Sequence, residues 1–162
     1  MAGDKLIVYW DDTEKIDTVM TRLLKGSEAK CTLLVDKDGH LISRHGFTQT
    51  LDTTALAALM AGSFASTSEI AKLVGEPEFS VLFHQGKKDH IHMCLVGDRS
   101  ILTVIFDDRT TIGMVRLYAK EAAEELQRIF NSVMKRVDSA DQGLSEEFTS
   151  SAEDKLEDIF HD

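Results

Sequence analysis

An α/β sandwich, with five antiparallel strands and helices on both faces of the sheet, is the fold class this sequence predicts, in the order α-ββ-α-βββ-α. Three observations predict it. Strand-like runs come first as a pair, CTLLV and HLISRH, and later as a triple, FSVLFHQG, HIHMCLVG and SILTVIFD. The turns that join them, DKDG, QGKKD and GDR, are too short for the crossovers that parallel strands need. Stretches with apolar residues at three-to-four spacing stand before, between and after these runs. Elements of this kind each have one apolar face and bury it in layers.

The elements follow in order. KLIVYW, residues 5–10, is a short β-prone run. In DDTEKIDTVMTRLLKG, residues Ile16, Val19, Met20, Leu23 and Leu24 fall at helical spacing. Acidic residues open that stretch, basic ones come late and Gly26 follows, which are start and stop signals. CTLLV-DKDG-HLISRH reads as a hairpin, with Leu41 and Ser43 on one face and His40 and Ile42 on the other. Asp52 or Thr53 caps a second helix that runs to about Val74 and stops at Gly75, with the only proline, Pro77, just beyond. The three-stranded meander comes next. A long helix then starts near Thr111, its stripe being Ile112, Val115, Ala119, Ala122, Leu126, Ile129, Val133 and Val137.

Composition changes after Val137. Residues 1–137 read as one domain. Residues 138–150, rich in Ser, Asp, Gly and Glu, read as a flexible linker. Residues 151–162 read as a short amphipathic helix with Leu156, Ile159 and Phe160 on one side. So short a helix is marginal alone in water, so it reads as a segment that orders on a partner.

The totals narrow the function. The 162 residues carry a formal charge of -10, which repels phosphate backbones and argues against nucleic acid as a partner. No apolar run reaches the length of a membrane span, and the N-terminus lacks the marks of a signal peptide. Cys31 and Cys94 sit inside strand-like runs without CxxC spacing and read as buried, reduced thiols of a cytoplasmic protein. No phosphate-binding loop, GxSxG, HExxH or GxGxxG occurs. His90, His92 and Cys94 share one face of a strand and are metal-ligand types. Three ligands in a row on one strand rarely wrap an ion tetrahedrally without a further ligand, which His40, His45 or His84 could supply; the face reads as a partly buried polar strand face, and no metal or other cofactor is expected.

The second helix carries the functional signal. On a helical wheel Leu56, Leu59, Met60, Ser63, Thr67, Ile70 and Val74 form a stripe expected to lie on the sheet. The far side holds Ala55, Ala58, Gly62, Ala65, Ser66 and Glu69, where a solvated face would carry lysines and glutamates. Gly62 in mid-helix costs roughly 1 kcal/mol relative to alanine. Close approach of another backbone is the compensation this face predicts.

The blocks VDKDGHLISRHGFTQTLDTTALAALMAG, IAKLVGEPEF, FHQGKKD and VIFDDRTTIGMVRL follow in that order, and LEDIF closes the chain. With them the sequence resembles the bacterial MglB-type proteins of the Roadblock/dynein light-chain family, from LIVYW to the tail. The resemblance implies a homodimer in which two sheets join edge to edge and the second helices pack together. It places Ala55, Ala58, Gly62 and Ala65 in the dimer interface. It implies a Ras-like small GTPase of the MglA type as partner, bound by Ala61, Gly62, Ala65, Ser66 and Glu69, with Leu156, Ile159 and Phe160 touching the GTPase elsewhere. The implied role is to stimulate GTP hydrolysis in cell polarity and motility, without catalytic residues of its own. A scaffold that docks the GTPase without activating it is the alternative. Arg44, Arg99, Arg109 and Arg116 are the candidates for a donated arginine. The smooth helix face carries none, which favours positioning of the GTPase's own residues.

Overall fold

The computed structural model describes residues 10–160. Residues 5–9 of the KLIVYW run lie outside them, and Trp10 opens a helix rather than ending a strand. The elements are α1 (Trp10–Ser27), β1 (Cys31–Asp36), β2 (Leu41–Gly46), α2 (Thr53–Val74), β3 (Val81–Gln85), β4 (His90–Val96), β5 (Ser100–Phe106) and α3 (Ile112–Phe160). Neighbouring strands pair antiparallel in the order β2-β1-β5-β4-β3, so β2 and β3 are the sheet's edges.

α1 and α3 cover one face of this sheet and α2 the other. The first layer buries Met20 and Leu23 of α1, Leu34, Leu102 and Val104 of the sheet, and Val115, Leu126 and Phe130 of α3. The second, smaller layer gathers Leu33, Val35, Met93 and Ile101 beneath Ala57, Met60 and Phe64 of α2. Gly26 lies within the last turn of α1 instead of beyond it. A Cβ there would run into the Tyr118 ring, so this glycine lets α3 close on α1.

The hairpin departs from simple alternation. The β1–β2 register slips between Leu34 and Val35, which pair with Ser43 and Leu41. Ile42 is the extra residue of a bulge, and a bulge puts neighbouring side chains on one face. Leu41 therefore packs toward α2. Ile42 packs into the α1/α3 layer, and Ser43 hydrogen-bonds Asp17 of α1. The expected pairing of Leu41 with Ser43 on one face does not hold.

Asp52 is the N-cap of α2, its carboxylate accepting from the Ala55 N–H at 3.0 Å. Gly75 ends the helix in the left-handed region, its N–H reaching back to the carbonyls of the last turn. The buried residues of α2 are Thr53, Ala57, Met60, Phe64 and Ala71. Of the stripe expected on the sheet, only Met60 is buried. Leu59, Ile70 and Val74 are exposed, so the helix is turned by about one residue, ~100°, from that expectation. Ala57 and Ala71 allow a close approach to the sheet, and Phe64 fills the remaining space, a solution that counting apolar residues does not reveal.

α3 is continuous from Ile112 to Phe160. It runs through residues 138–150, expected as a linker, and takes in the expected short C-terminal helix. No proline interrupts this stretch, and Ala140, Gln142, Leu144, Glu146, Glu147 and Ala152 are good helix formers. Gly143, the one breaker, has open space around it.

Candidate partner-binding surface

α2 presents two adjacent lines of side chains to solvent. Ala58, Gly62, Ala65 and Glu69, spaced by four, three and four, form one line, and all are exposed. Ala55 and Ser66 are exposed beside them. A Cβ built at Gly62 meets nothing within 4 Å, so no contact inside the protomer asks for a glycine there. The second line is Leu59, Ser66, Ile70 and Leu73, with Val74 next to it. Leu59 is 69% exposed and Leu73 87%, a concentration of bare apolar surface that a solvated helix avoids.

Beside the small-residue line the surface sinks into a groove of about 180 Å³. Half-buried Ala61 and exposed Ala65 form one wall with Phe64, and Lys37, Phe79 and Leu95 close the other side. Of the residues expected to bind a partner, Ala61, Gly62, Ala65, Ser66 and Glu69 thus share one continuous surface. Phe64, by contrast, points inward and is only 7% exposed. The bare line of Leu59, Ile70, Leu73 and Val74 escaped the sequence reading, because its spacing equals that of a core stripe.

Leu156 and Ile159 are exposed near the end of α3. Of Phe160 only the backbone is described. The edge strand β3 leaves Val81 and Phe83 exposed, Phe83 stacking on Phe106 at a centroid distance of 6.2 Å.

None of the candidate arginines lies on α2. Arg44 of β2 donates to the Thr53 hydroxyl at 3.4 Å. Arg109 binds Asp107 at 3.0 Å; that hydrogen bond holds the Asp107 carboxyl below its ordinary pKa and raises that of the guanidinium. Arg99 is exposed in the β4–β5 turn, and Arg116 lies in the first turns of α3.

The strand HIHMC is part of the core. His90, His92 and Cys94 face the α1/α3 layer and are buried. Desolvation, helped by the Arg116 charge, lowers the His92 pKa to about 4. Burial raises the Cys94 thiol to about 12 and the Cys31 thiol to about 11. Among the described residues the one trio with metal-ligand spacing is Asp36, Asp38 and His40 at the hairpin turn. There the Asp36 carboxylate already accepts the Asp38 and His40 N–H groups, so it serves the turn itself.

The Roadblock/LC7 domain model matches residues 15–106, more than half of the chain. MglB of Myxococcus xanthus is 52% identical, with a TM-score of 0.71 over 73% of this chain and 96% of that one. The chain belongs to the Roadblock/LC7 family, as a member of the MglB type. The gliding protein MglB of Thermus thermophilus is 29% identical, with a TM-score of 0.73 over 78% of this chain and 96% of that one. An MglB structure with a tetrameric arrangement gives 29% and 0.75 over the same shares. An uncharacterised protein of Methanocaldococcus jannaschii is 26% identical over 71% of this chain and 99% of its own length. The match to the domain model ends at Phe106, so α3 lies beyond the part that defines the family. Among the described residues no helix is long and apolar enough to cross a membrane.

Proposed function

We propose that this chain is a homodimeric activator of a Ras-like small GTPase of the MglA type, in a cell-polarity or motility system. One observation carries the reading: a solvent-facing helix of an MglB-type Roadblock fold whose outer side is small or apolar for most of its length. Two adjacent lines on one helix suit two partners. The line of Leu59, Ile70 and Leu73 suits α2 of a second copy, the apolar area being of the kind that drives permanent association. The open edge of β3, with Val81 and Phe83 bare, suits continuation of the sheet into that copy. The existence of a tetrameric MglB arrangement supports self-association in this group. The line of Ala58, Gly62 and Ala65, with the groove behind Ala61, then stays open to the GTPase. Of the four expected dimer contacts, Ala58, Gly62 and Ala65 lie on this small-residue line and Ala55 is exposed beside it.

Activation follows from positioning. α2 has no arginine to place against a transferring phosphoryl group. A smooth surface packed against the GTPase's mobile switch segments would hold its own catalytic side chains in the reactive arrangement, which lowers the barrier through orientation. The chain supplies no nucleophile or general base in this scheme. It is a regulator of the hydrolase rather than an enzyme, and it requires no cofactor.

Replacing Ala65 by arginine tests the surface. Ala65 is exposed on a helix, so the variant should fold as the native chain does, by circular dichroism and thermal unfolding. Its bulk and charge should reduce GTPase binding at least a hundredfold in titration calorimetry. Native affinity in this variant would remove the small-residue line from the interface.

A further inference from the structure

α1 and α3 lie side by side in opposite directions and meet at three levels. Gly26, near the end of α1, makes room for the Tyr118 ring near the start of α3. Midway, Arg22 binds Glu125 at 2.9 Å, both side chains being open to solvent. At the far end Arg136 of α3 donates to the carboxylate of Asp12, in the first turn of α1. This last pair is of a different kind. The Asp12 side chain is 3% exposed, the Arg136 side chain 46%. Removing one partner of a pair that includes a buried charge is far more costly than breaking a surface ion pair.

Arg136 stands where α3 leaves the body of the protein. Val133 is the last buried residue of the helix, and every residue of 138–160 whose side chain is described is exposed. That arm has weak reasons to be helical by itself. Glu153 and Glu157, like Asp154 and Asp158, are like charges at i,i+4 spacing, and acidic residues in the last turn oppose the helix dipole. Gly143 adds the cost of a poor helix former. A helix in water depends on a nucleus that already exists, from which it propagates one bond per residue. The packed part of α3 is that nucleus, and the ion pair fixes its final turn. We propose that Asp12 and Arg136 form a latch that sets the helical order of residues 138–160. Closed, it holds the last packed turn, and the helix runs on into the arm. Open, α3 frays back towards Val133 and the acidic segment becomes a flexible chain. The order of the arm thus depends on α1, although Asp12 lies 124 residues from Arg136 in sequence. A shift of the first turn of α1 would release the arm.

The test is amide hydrogen exchange of the full chain, read by mass spectrometry. Four forms are compared with the native protein: Asp12→Asn, Arg136→Gln, the two together, and Arg136→Lys. Thermal unfolding checks that each folds. In either neutral single variant, amides of residues 138–150 should exchange at least about fivefold faster than in the native chain, while those of β5 keep native protection. The double variant should exchange no faster than the single ones, because all three lack the same contact. Arg136→Lys, which keeps the charge, should stay within about twofold of native. Helix propensity alone predicts none of this, since arginine and glutamine are similar helix formers and Asp12 is not part of α3. Native exchange of the arm in Asp12→Asn would overturn the latch. So would an equal acceleration in β5, which would mean a general loss of stability. Should Asp12→Asn not fold, Arg136→Gln decides alone, and native exchange of its arm would overturn the latch as well.

Discussion

Acidification should destabilise this protein through a buried histidine, His92. His92 is 3% exposed, lies between Phe83 of β3 and Val104 of β5, and has no partner for its Nδ1. Burial, with the nearby Arg116 charge, lowers its pKa from 6.5 to about 4. The folded state thus holds the neutral ring while the unfolded chain takes up a proton below about pH 6.5. Stability contributed by the neutral ring is complete above the unfolded pKa and is lost as pH falls through the folded one. At ~1.4 kcal/mol per pKa unit, the whole shift is worth ~3 kcal/mol. About 2 kcal/mol of this should be gone by about pH 5, before most carboxylates protonate. Phenylalanine at position 92 keeps the ring and removes the titration. Urea unfolding of the native chain and the His92→Phe variant, at one fixed protein concentration from about pH 7.5 to pH 5, gives the difference directly. The native chain should lose ~2 kcal/mol more than the variant over that range. Parallel profiles would refute the reasoning and assign the acid sensitivity to other groups.

Gly62→Ala should stabilise an isolated protomer by up to ~1 kcal/mol, since alanine favours the helix and a Cβ meets nothing within 4 Å. The same methyl should weaken GTPase binding or self-association, read by calorimetry and by light scattering; a variant that gains stability and loses neither would leave Gly62 without a role. Single alanine replacements of Arg44, Arg99 and Arg109 should each lower stimulation of GTP hydrolysis by less than about tenfold. A loss near a thousandfold in any one would mean that the chain donates an arginine.

Much of the fold was legible because apolar periodicity and turn chemistry agree locally. The hairpin, the meander, the Asp52 cap and the Gly75 stop all rest on signals within a few residues of one another. Three features depend on distant contacts and were not. The rotation of α2 is set by how Phe64 and two alanines fit the sheet, while Leu59, Ile70 and Val74 carry an equally good stripe. The bulge at Ile42 is set by pairing with β1. The continuity of α3 overrode a polar composition that suggested a linker, because polar residues without proline still form helix when a long packed segment precedes them.

The surface was legible in part. The small residues from Ala55 to Ala65 stood out because a solvated face has no reason to be bare, and all but half-buried Ala61 of those expected at the interface are exposed. The apolar line beside them was hidden inside a pattern normally read as core. The HIHMC strand shows the converse. Its histidines look like ligands in the sequence, yet their alternation only places them on the inner face of a central strand, where packing decides their state.

Single-turnover hydrolysis of GTP by the MglA-type GTPase of the same organism, alone and with two protomers of this chain per GTPase, tests activation by positioning most directly. Acceleration by the native chain, lost in Ala65→Arg and kept when the arginines are replaced singly, is the expected result. Tight binding with an unchanged hydrolysis rate would contradict it and make the chain a scaffold that holds the GTPase without activating it.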